Sequence, residues 1–228
     1  VPEQNRDIRI LPGIAQRDRA APDVMRGEET QLLGALGVDA AGEVVVCLPG
    51  THSKWVRVNG GTVERFATFM TGELFDVATR ETILSHAVNN ADDAVDIEAF
   101  KSAVTAAFET PALAANLLFQ VRSGQLLYGG TPSAAREKIS GTLIGLELAA
   151  GLAGDAPGTG ITLVASGRLQ MLYQLAFDTV SVRVRSIGAE DAVRRGLAMA
   201  AQSIWNRFVA AWFEGGKDDP KLRLLRFD

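Results

Sequence analysis

Apolar positions near the start of the chain show first the spacing of a strand and then that of a helix. The run at residues 7–11 predicts a short strand. An apolar stripe with helical spacing predicts a helix over residues 24–36, with Asp23 as its N-terminal cap and Gly37 at its end. We therefore expect one strand followed by one amphipathic helix.

Three strands are predicted next, close together along the chain. They lie at residues 43–48, 54–58 and 62–69. The last two are joined by Asn-Gly-Gly at 59–61, which suits a tight hairpin because glycine adopts positive φ without steric cost. Short connections of this kind favour an antiparallel meander.

Helical periodicity dominates the rest of the chain. The predicted helices lie at about 72–89, 96–108, 110–122 and 133–152, then up to about 177, and finally at 190–213. Among the last of these helices, the apolar run at 161–165 predicts one strand, and residues 179–184 are predicted as another. Strands that are separated by helices imply a parallel extension of the sheet.

The predicted order is three antiparallel strands, then helix, strand, helix, strand and helix. It predicts an α/β fold class, with a mixed sheet in which an antiparallel meander continues into parallel strands flanked by helices. The same order resembles one ribonuclease-H-like domain of the actin, hexokinase and Hsp70 superfamily.

Charge and composition exclude several classes of binding partner. The net charge of -4 and the scattered Lys and Arg residues provide no basic surface for nucleic acid or an anionic membrane. No stretch approaches the roughly 20 apolar residues of a membrane-spanning helix. The single cysteine, Cys47, lies in an apolar run and has no second cysteine to pair with, which favours a reducing compartment. We therefore expect a cytoplasmic protein that acts on small molecules, without nucleic-acid or membrane partners.

The strongest candidate segment connects the first two strands of the meander. It consists of Gly50, Thr51, His52, Ser53 and Lys54. A tight turn of glycine and hydroxyl residues exposes backbone N–H groups that can hold phosphate oxygens, and a lysine adds positive charge. An ordinary hairpin turn with a solvated lysine is the alternative, and a lone histidine is more often structural than catalytic. The residues alone leave both interpretations open.

Two carboxylates, Glu28 and Glu29, lie near the start of the first predicted helix. The helix dipole favours carboxylates at this place, so they could simply stabilise the helix. Alternatively, one of them accepts the proton of a substrate hydroxyl as that hydroxyl attacks a phosphoryl group, and Arg26 binds a substrate carboxylate.

Two strand-to-helix junctions are further candidates. Thr71 and Glu73 follow the third strand of the meander and suit a helix start, although Glu73 could instead bind a sugar hydroxyl. Gly167 follows the strand 161–165, in a turn of the type that binds nucleotides at the end of a sheet strand.

Four segments in this order resemble the 2-keto-3-deoxygalactonate kinase family. They read VMRGEETQLLGAL from residue 24, LPGTHSKWV from residue 48, TFMTGEL from residue 68 and ITLVASGRL from residue 161. The resemblance covers most of the chain. It implies transfer of the γ-phosphate of ATP to the terminal hydroxyl of 2-keto-3-deoxygalactonate, with Mg²⁺ bridging the phosphates, in galactose or galactonate catabolism.

The resemblance also implies roles for the candidate residues. The second phosphate loop would consist of Gly50, Thr51, His52, Ser53 and Lys54. Gly167 would lie near the adenosine. By analogy with related sugar kinases, Glu28 and Glu29 would occupy the place of the catalytic carboxylate, and Arg26 and Glu73 would contact the sugar acid.

Two domains follow from the same resemblance. Residues 1–40 would end a first domain that binds substrate and phosphate, and residues 41–228 would form a second, ribonuclease-H-like domain that binds the nucleotide. Family members begin with a strand and an Asp-x-Gly turn, the first phosphate loop, which this sequence does not contain. We therefore expect a fragment that depends on that segment for activity.

Two other interpretations stay open. One is a kinase of a related sugar or sugar acid, because galactonate and gluconate derivatives differ at one hydroxyl. The other is a non-catalytic module that binds nucleotide or mediates oligomerisation. The sequence also leaves open whether the protein forms a homodimer.

Overall fold

A computed structural model describes residues 12–37, 41–92, 94–154 and 159–204. The predicted strand 7–11 and the part of the last predicted helix from residue 205 onward lie outside these residues. Contacts divide the chain into two compact units, Val1–Ala40 with Ala189–Asp228, and Ala41–Gly188.

The first part of the chain contains the elements β1 (Ile14–Gln16), β2 (Asp23–Met25), α1 (Glu28–Leu36), β3 (Glu43–Leu48), β4 (Ser53–Asn59), β5 (Thr62–Phe69), α2 (Thr71–Glu81) and α3 (Ser85–Val88). The second part contains α4 (Ile97–Glu109), a 3-10 turn (Pro111–Leu113), α5 (Ala114–Tyr128), α6 (Pro132–Gly151), β6 (Gly160–Ala165), α7 (Gly167–Thr179), β7 (Arg185–Gly188) and α8 (Ala189–Ile204).

The predicted start of the first helix is wrong. Asp23 does not cap α1, because it lies in β2, where it pairs with Gln16 of β1. Gly27 turns the chain into the helix with a φ of 112°, a conformation that favours glycine. The helix therefore begins at Glu28 rather than near residue 24, and it ends before Gly37 as predicted.

Two glycines let α1 and α8 approach closely within the first unit. A Cβ atom built on Gly34 would lie 1.8 Å from the carbonyl oxygen of Ala192, and one on Gly196 would lie 1.9 Å from that of Thr30. Contacts thus group α8 with residues 1–40, whereas the sequence assigned it to a domain of residues 41–228. The functional division into those two domains stays a prediction.

The second unit contains a five-stranded mixed sheet in the order β5-β4-β3-β6-β7. The strands β3, β4 and β5 form the predicted antiparallel meander. The strands β6 and β7 extend it in parallel from β3. The predicted α/β sheet with flanking helices is therefore confirmed.

The predicted position of the last strand is wrong. Helix α7 continues to Thr179, and β7 lies at Arg185–Gly188 rather than at 179–184. The apolar residues of the predicted strand are Val180, Val182 and Val184, which pack against the core without joining the sheet. Burial of these side chains therefore explains their apolar spacing without a strand.

Two of the predicted helices are each divided into two elements in the structure. The helix predicted at 72–89 breaks at Thr82, whose hydroxyl donates to the carbonyl oxygen of Ala78 at 2.6 Å and accepts from the backbone N–H of Leu84 at 3.1 Å. A side chain that bonds nearby backbone in this way competes with the helical pattern. The segment predicted as a helix at 110–122 begins as the 3-10 turn and continues as α5 to Tyr128.

The main core lies where α4, α6 and α7 pack on one face of the sheet. Trp55 of β4 meets Phe177 of α7 with ring centroids 6.0 Å apart. Gly151 of α6 lies against the same indole, and a Cβ atom there would come within 2.4 Å of it. Helices α4 and α6 are similarly close, since a Cβ atom on Gly145 would lie 2.5 Å from the carbonyl oxygen of Val104.

We expect Gly145→Ala to destabilise the fold by about 1–3 kcal/mol, because the added methyl group forces α4 and α6 apart. Gly124→Ala is a matched control, since a Cβ atom at this helical position would meet nothing within 4 Å. Alanine there should stabilise the protein by about 0.5–1 kcal/mol through helix propensity. Urea denaturation measures both changes, and an unchanged midpoint for Gly145→Ala would contradict the close packing of α4 and α6.

Candidate functional site

The sheet topology gathers the predicted site residues of the second unit at one edge. The strands β3 and β5 both end at this edge, where β4 begins, because Leu48 pairs with Lys54 and Ser53 pairs with Phe69. The parallel strand β6 ends there too, since Cys47 pairs with Leu163. The turn at residues 49–52 and the starts of α2 and α7 therefore lie at the same edge.

The turn at residues 49–52 packs against the start of helix α2. The backbone N–H of Glu73 donates to the carbonyl oxygen of Thr51 at 3.0 Å. The His52 Nε2 atom lies 2.5 Å from Glu73 Oε2, with both side chains partly exposed. Gly72 leaves no room between helix and turn, since a Cβ atom there would lie 2.5 Å from the carbonyl oxygen of Gly50. Two segments that were separate candidates in the sequence thus form one structural element.

Ser53 and Lys54 differ from the other residues of the segment, because they already belong to β4 and are buried. The Ser53 hydroxyl lies 3.1 Å from the Tyr173 hydroxyl. The Lys54 ammonium donates to Thr68 Oγ1 at 2.6 Å. The alternative of a solvated lysine in an ordinary turn is therefore wrong for Lys54, whereas Thr51 and His52 are exposed.

A buried carboxylate lies beneath this edge. Glu147 of α6 is 1% exposed and accepts hydrogen bonds from the Trp55 indole at 2.8 Å and the Tyr173 hydroxyl at 2.7 Å. The Thr71 hydroxyl also donates to it. Through Thr71 the network reaches the start of α2, and through Tyr173 it reaches Ser53 at the start of β4. Glu147 therefore connects the elements that support the turn.

Burial raises the pKa of the Glu147 carboxyl group, and the hydrogen bonds from Thr71, Trp55 and Tyr173 oppose that change. Burial, with the nearby Glu147 carboxylate, also raises the pKa values of Tyr173 and Cys47. Cys47 therefore stays a neutral thiol inside the core, in agreement with its apolar sequence context. The sequence analysis missed Glu147, although a charged residue between Ile144 and Leu148 on the buried side of a long helix is an available signal.

The turn after β6 carries Gly167 and Arg168. Gly167 has a φ of 59°, and a Cβ atom there would meet nothing within 4 Å, so the position is open. Arg168 forms an ion pair with Glu137, a fully buried residue of α6. The sequence analysis singled out Gly167 but neither charged residue.

Arg26, Glu28 and Glu29 lie in the first unit. The Glu28 carboxylate accepts from the backbone N–H of Arg26 at 3.0 Å, and that of Glu29 accepts from Gly27 at 2.7 Å. Both carboxylates thus bond backbone groups just before α1, which agrees with a role in stabilising the start of the helix. Their assignment as catalytic residues stays a prediction, as does the role of the exposed Arg26.

The described residues contain neither a metal-ligand cluster nor a membrane-spanning helix. No group of three or more His, Cys, Asp or Glu side chains among them is arranged to hold a metal ion. Within the same part of the chain, no helix is long and apolar enough to cross a membrane.

Comparison with known proteins shows the family. The family profile described as 2-keto-3-deoxy-galactonokinase matches residues 1–200. The probable 2-dehydro-3-deoxygalactonokinase DgoK1 of Rhizobium meliloti (strain 1021) is 58% identical over 206 residues, which are 90% of this chain and 67% of the relative. The 2-dehydro-3-deoxygalactonokinase of Escherichia coli (strain K12) is 32% identical over 200 residues, 88% of this chain and 67% of the relative.

A solved structure agrees with this relationship. A crystal structure from Sinorhizobium meliloti, of a protein assigned as a 2-dehydro-3-deoxygalactonokinase, superposes with a TM-score of 0.85 at 58% identity. The match covers 90% of this chain and 68% of that protein. Since the family profile covers most of the chain and the relatives agree with it, the chain belongs to the 2-keto-3-deoxy-galactonokinase family.

Proposed function

We propose that the protein transfers the γ-phosphate of ATP to the terminal hydroxyl of 2-keto-3-deoxygalactonate, giving 2-keto-3-deoxy-6-phosphogalactonate and ADP. The observation that carries the proposal is the family match over residues 1–200. The exposed turn at 49–52 supports it, because it lies beside the open Gly167 at the carboxyl edge of the parallel strands, where α/β sheets bind ligands.

The strand order supports a ribonuclease-H-like nucleotide-binding domain. In the order β5-β4-β3-β6-β7, only β4 runs against the other strands. An antiparallel meander followed by two parallel strands is the arrangement expected from the sequence for one half of a sugar kinase. Residues 41–188 would then hold the nucleotide, and residues 1–40 would end the preceding domain.

Gly50, Thr51 and His52 are the residues of the turn that we assign to the ATP phosphates. The turn is half-buried at Gly50 and exposed at Thr51 and His52. Backbone N–H groups of such a turn can donate to phosphate oxygens, and the imidazole adds a further donor. Ser53 and Lys54 are buried and bonded to Tyr173 and Thr68, so we assign them to holding the turn in place.

Phosphoryl transfer of this kind depends on positioning and on charge stabilisation more than on covalent chemistry. ATP would bind as its magnesium complex, and the ion would supply positive charge that offsets the charge of the phosphates. Glu28 or Glu29 would accept the proton of the attacking hydroxyl, and Arg26 would bind the carboxylate of the sugar acid. Glu73 would contact a sugar hydroxyl directly or act through His52, which it contacts at 2.5 Å.

A coupled assay of ADP release tests the proposal. It uses Mg-ATP with 2-keto-3-deoxygalactonate and, in parallel, its gluconate epimer. We expect turnover of the galactonate compound. The assay is run on the 228-residue chain and on the same chain extended by the remaining third of the Rhizobium meliloti relative. Turnover only with the extension would show that the first phosphate loop is required.

The other interpretations predict different results in the same assay. Preferred turnover of the gluconate epimer, or of another sugar, would assign the protein to a related kinase. Absence of turnover by both proteins, with retained binding of Mg-ATP in calorimetry, would favour the non-catalytic nucleotide-binding module. Either result would overturn the proposed activity.

A further inference from the structure

Glu137 is a buried carboxylate that two arginines share. Its side chain is fully buried, whereas those of Arg136 and Arg168 are 17% and 42% exposed. Its Oε1 atom accepts from Arg136 Nε at 3.1 Å and from the Arg168 guanidinium. Its Oε2 atom is buried and has no hydrogen-bond partner within the described part of the chain.

The two arginines are held differently. The Arg136 guanidinium also donates to the backbone carbonyl oxygens of Asp92 at 2.5 Å and Ala94 at 3.1 Å. It thus ties the start of α6 to the loop that precedes α4. Arg168 reaches the same carboxylate from the first turn of α7, and more of its side chain is exposed. Arg136 therefore has the contacts of a structural residue, whereas Arg168 presents part of its side chain to solvent.

Arg168 lies at the edge of the sheet that carries the candidate site. It follows Gly167 directly, and Gly167 follows the end of β6, beside the end of β3 and the turn at 49–52. Of the charged side chains near this edge, Lys54 is buried and bonded to Thr68. A partly exposed arginine here is suited to a nucleotide, since a guanidinium bonds phosphate oxygens and stacks on planar bases.

A contribution to stability does not explain why a charged residue lies at the buried position 137. A buried ion pair is often no more stabilising than apolar residues of the same shape, because removing the charges from water is costly. An unpartnered buried oxygen adds to that cost. Arg168, by contrast, is paired with this carboxylate at the edge of the sheet that carries the candidate site.

We propose that Glu137 is a positioning residue that holds the Arg168 guanidinium at the nucleotide side of the site, where Arg168 contacts the bound ATP. The proposal rests on the proposed function, and it adds two residues to that site. The ion pair with Glu137 and the place of Arg168 beside the open Gly167 support this role.

The test is calorimetric binding of Mg-ATP to the wild type and to Arg168→Ala, Glu137→Gln and the double variant. We expect Arg168→Ala to raise Kd by about 10- to 100-fold, as for loss of a hydrogen bond to a charged group. Glu137→Gln should raise Kd by a smaller factor. The double variant should bind like Arg168→Ala alone, because Glu137 acts through Arg168.

Stability and kinetics separate this role from a merely structural one. Glu137→Gln keeps the shape of the side chain but leaves the charges of Arg136 and Arg168 without their carboxylate, so its unfolding midpoint should fall. A merely structural role predicts that fall without a selective loss of ATP binding. In an active enzyme the KM for ATP should rise while the KM for the sugar acid stays unchanged. Arg65→Ala, which removes an exposed arginine from β5, is the matched control and should bind Mg-ATP like the wild type.

The outcomes distinguish this proposal from the proposed function. Unchanged Kd for Arg168→Ala, or independent effects of the two substitutions, would overturn the role of the pair even if the enzyme turns over. Binding of Mg-ATP without turnover by either the 228-residue chain or the extended one would refute the kinase activity alone, and the variants would still test the pair. Failure of the wild-type protein to bind Mg-ATP would overturn both.

Discussion

Replacement of Glu147 by alanine is expected to lower the free energy of unfolding by about 2–4 kcal/mol at neutral pH, through lost hydrogen bonds and the cavity left behind. The substitution removes the acceptor of the Trp55 indole and of the Thr71 and Tyr173 hydroxyl groups. The Tyr173 hydroxyl can still bond the Ser53 hydroxyl, which lies 3.1 Å from it. The indole N–H is left unpaired. Urea denaturation measures the loss. A change within about 0.5 kcal/mol would contradict the prediction, because it would show that the network contributes no more than ordinary surface contacts do.

Glu147→Gln is the matched control for this substitution. It keeps an acceptor for the indole, and the hydroxyl groups can rotate to accept from its amide. It also removes a group whose pKa is raised in the folded protein. Such a carboxyl group favours folding while it is protonated, and that contribution is lost as the pH rises through its folded pKa.

The raised pKa of Glu147 determines how the stability difference between the two proteins depends on pH. The stability of the wild type relative to Glu147→Gln should be highest below the ordinary carboxyl pKa of 4.5 and should fall as the pH rises above it. Denaturation curves of both proteins over this pH range measure the difference. A difference that instead grows with pH would mean that the hydrogen bonds outweigh the effect of burial on the pKa of Glu147.

Gly72→Ala is expected to lower kcat/KM for ATP by about 100-fold, the order of loss that follows a displacement of about 1 Å in a site. A Cβ atom at this position would lie 2.5 Å from the carbonyl oxygen of Gly50 and 2.7 Å from the Cα atom of Thr51. The turn must therefore move away from α2, which also weakens the contact between His52 and Glu73. Steady-state kinetics with Mg-ATP on the active protein measure the loss.

The control for Gly72→Ala is again Gly124→Ala, a helical position with open space around it. It should leave kcat/KM unchanged. The unfolding midpoint of Gly72→Ala should fall only modestly, because the turn lies at the surface and can shift. Retained activity with a large loss of stability would show that the close approach serves the fold and not the site.

Much of the fold could be predicted from local pattern. The meander β3, β4 and β5, the strand β6 and most of the helices lie where apolar periodicity and glycine turns placed them. Such patterns are reliable because a strand or helix with one buried face must repeat its apolar residues with its own geometric period. The turn at 49–52 and Gly167 were found for a similar local reason, since both follow a predicted strand.

Errors arose where an apolar or capping pattern had two explanations. Val180, Val182 and Val184 alternate like a strand but are buried as a connecting segment. Asp23 is a good helix cap by type, yet pairing between β1 and β2 places it in a strand. In both cases contacts with distant residues decided the structure, and no local property of these residues could show that.

The sequence by itself determined the family, the order of most elements and the segments that form the candidate site, because these depend on residue type and on spacing along the chain. Only the tertiary structure decided that His52 meets Glu73, that Lys54 is bonded to Thr68, and that Glu137 and Glu147 are buried beneath the site. The physical reason is that burial and pairing join residues far apart in the sequence, from Ser53 to Tyr173 in one network. Such contacts are set by how helices pack on a sheet, which no local pattern records.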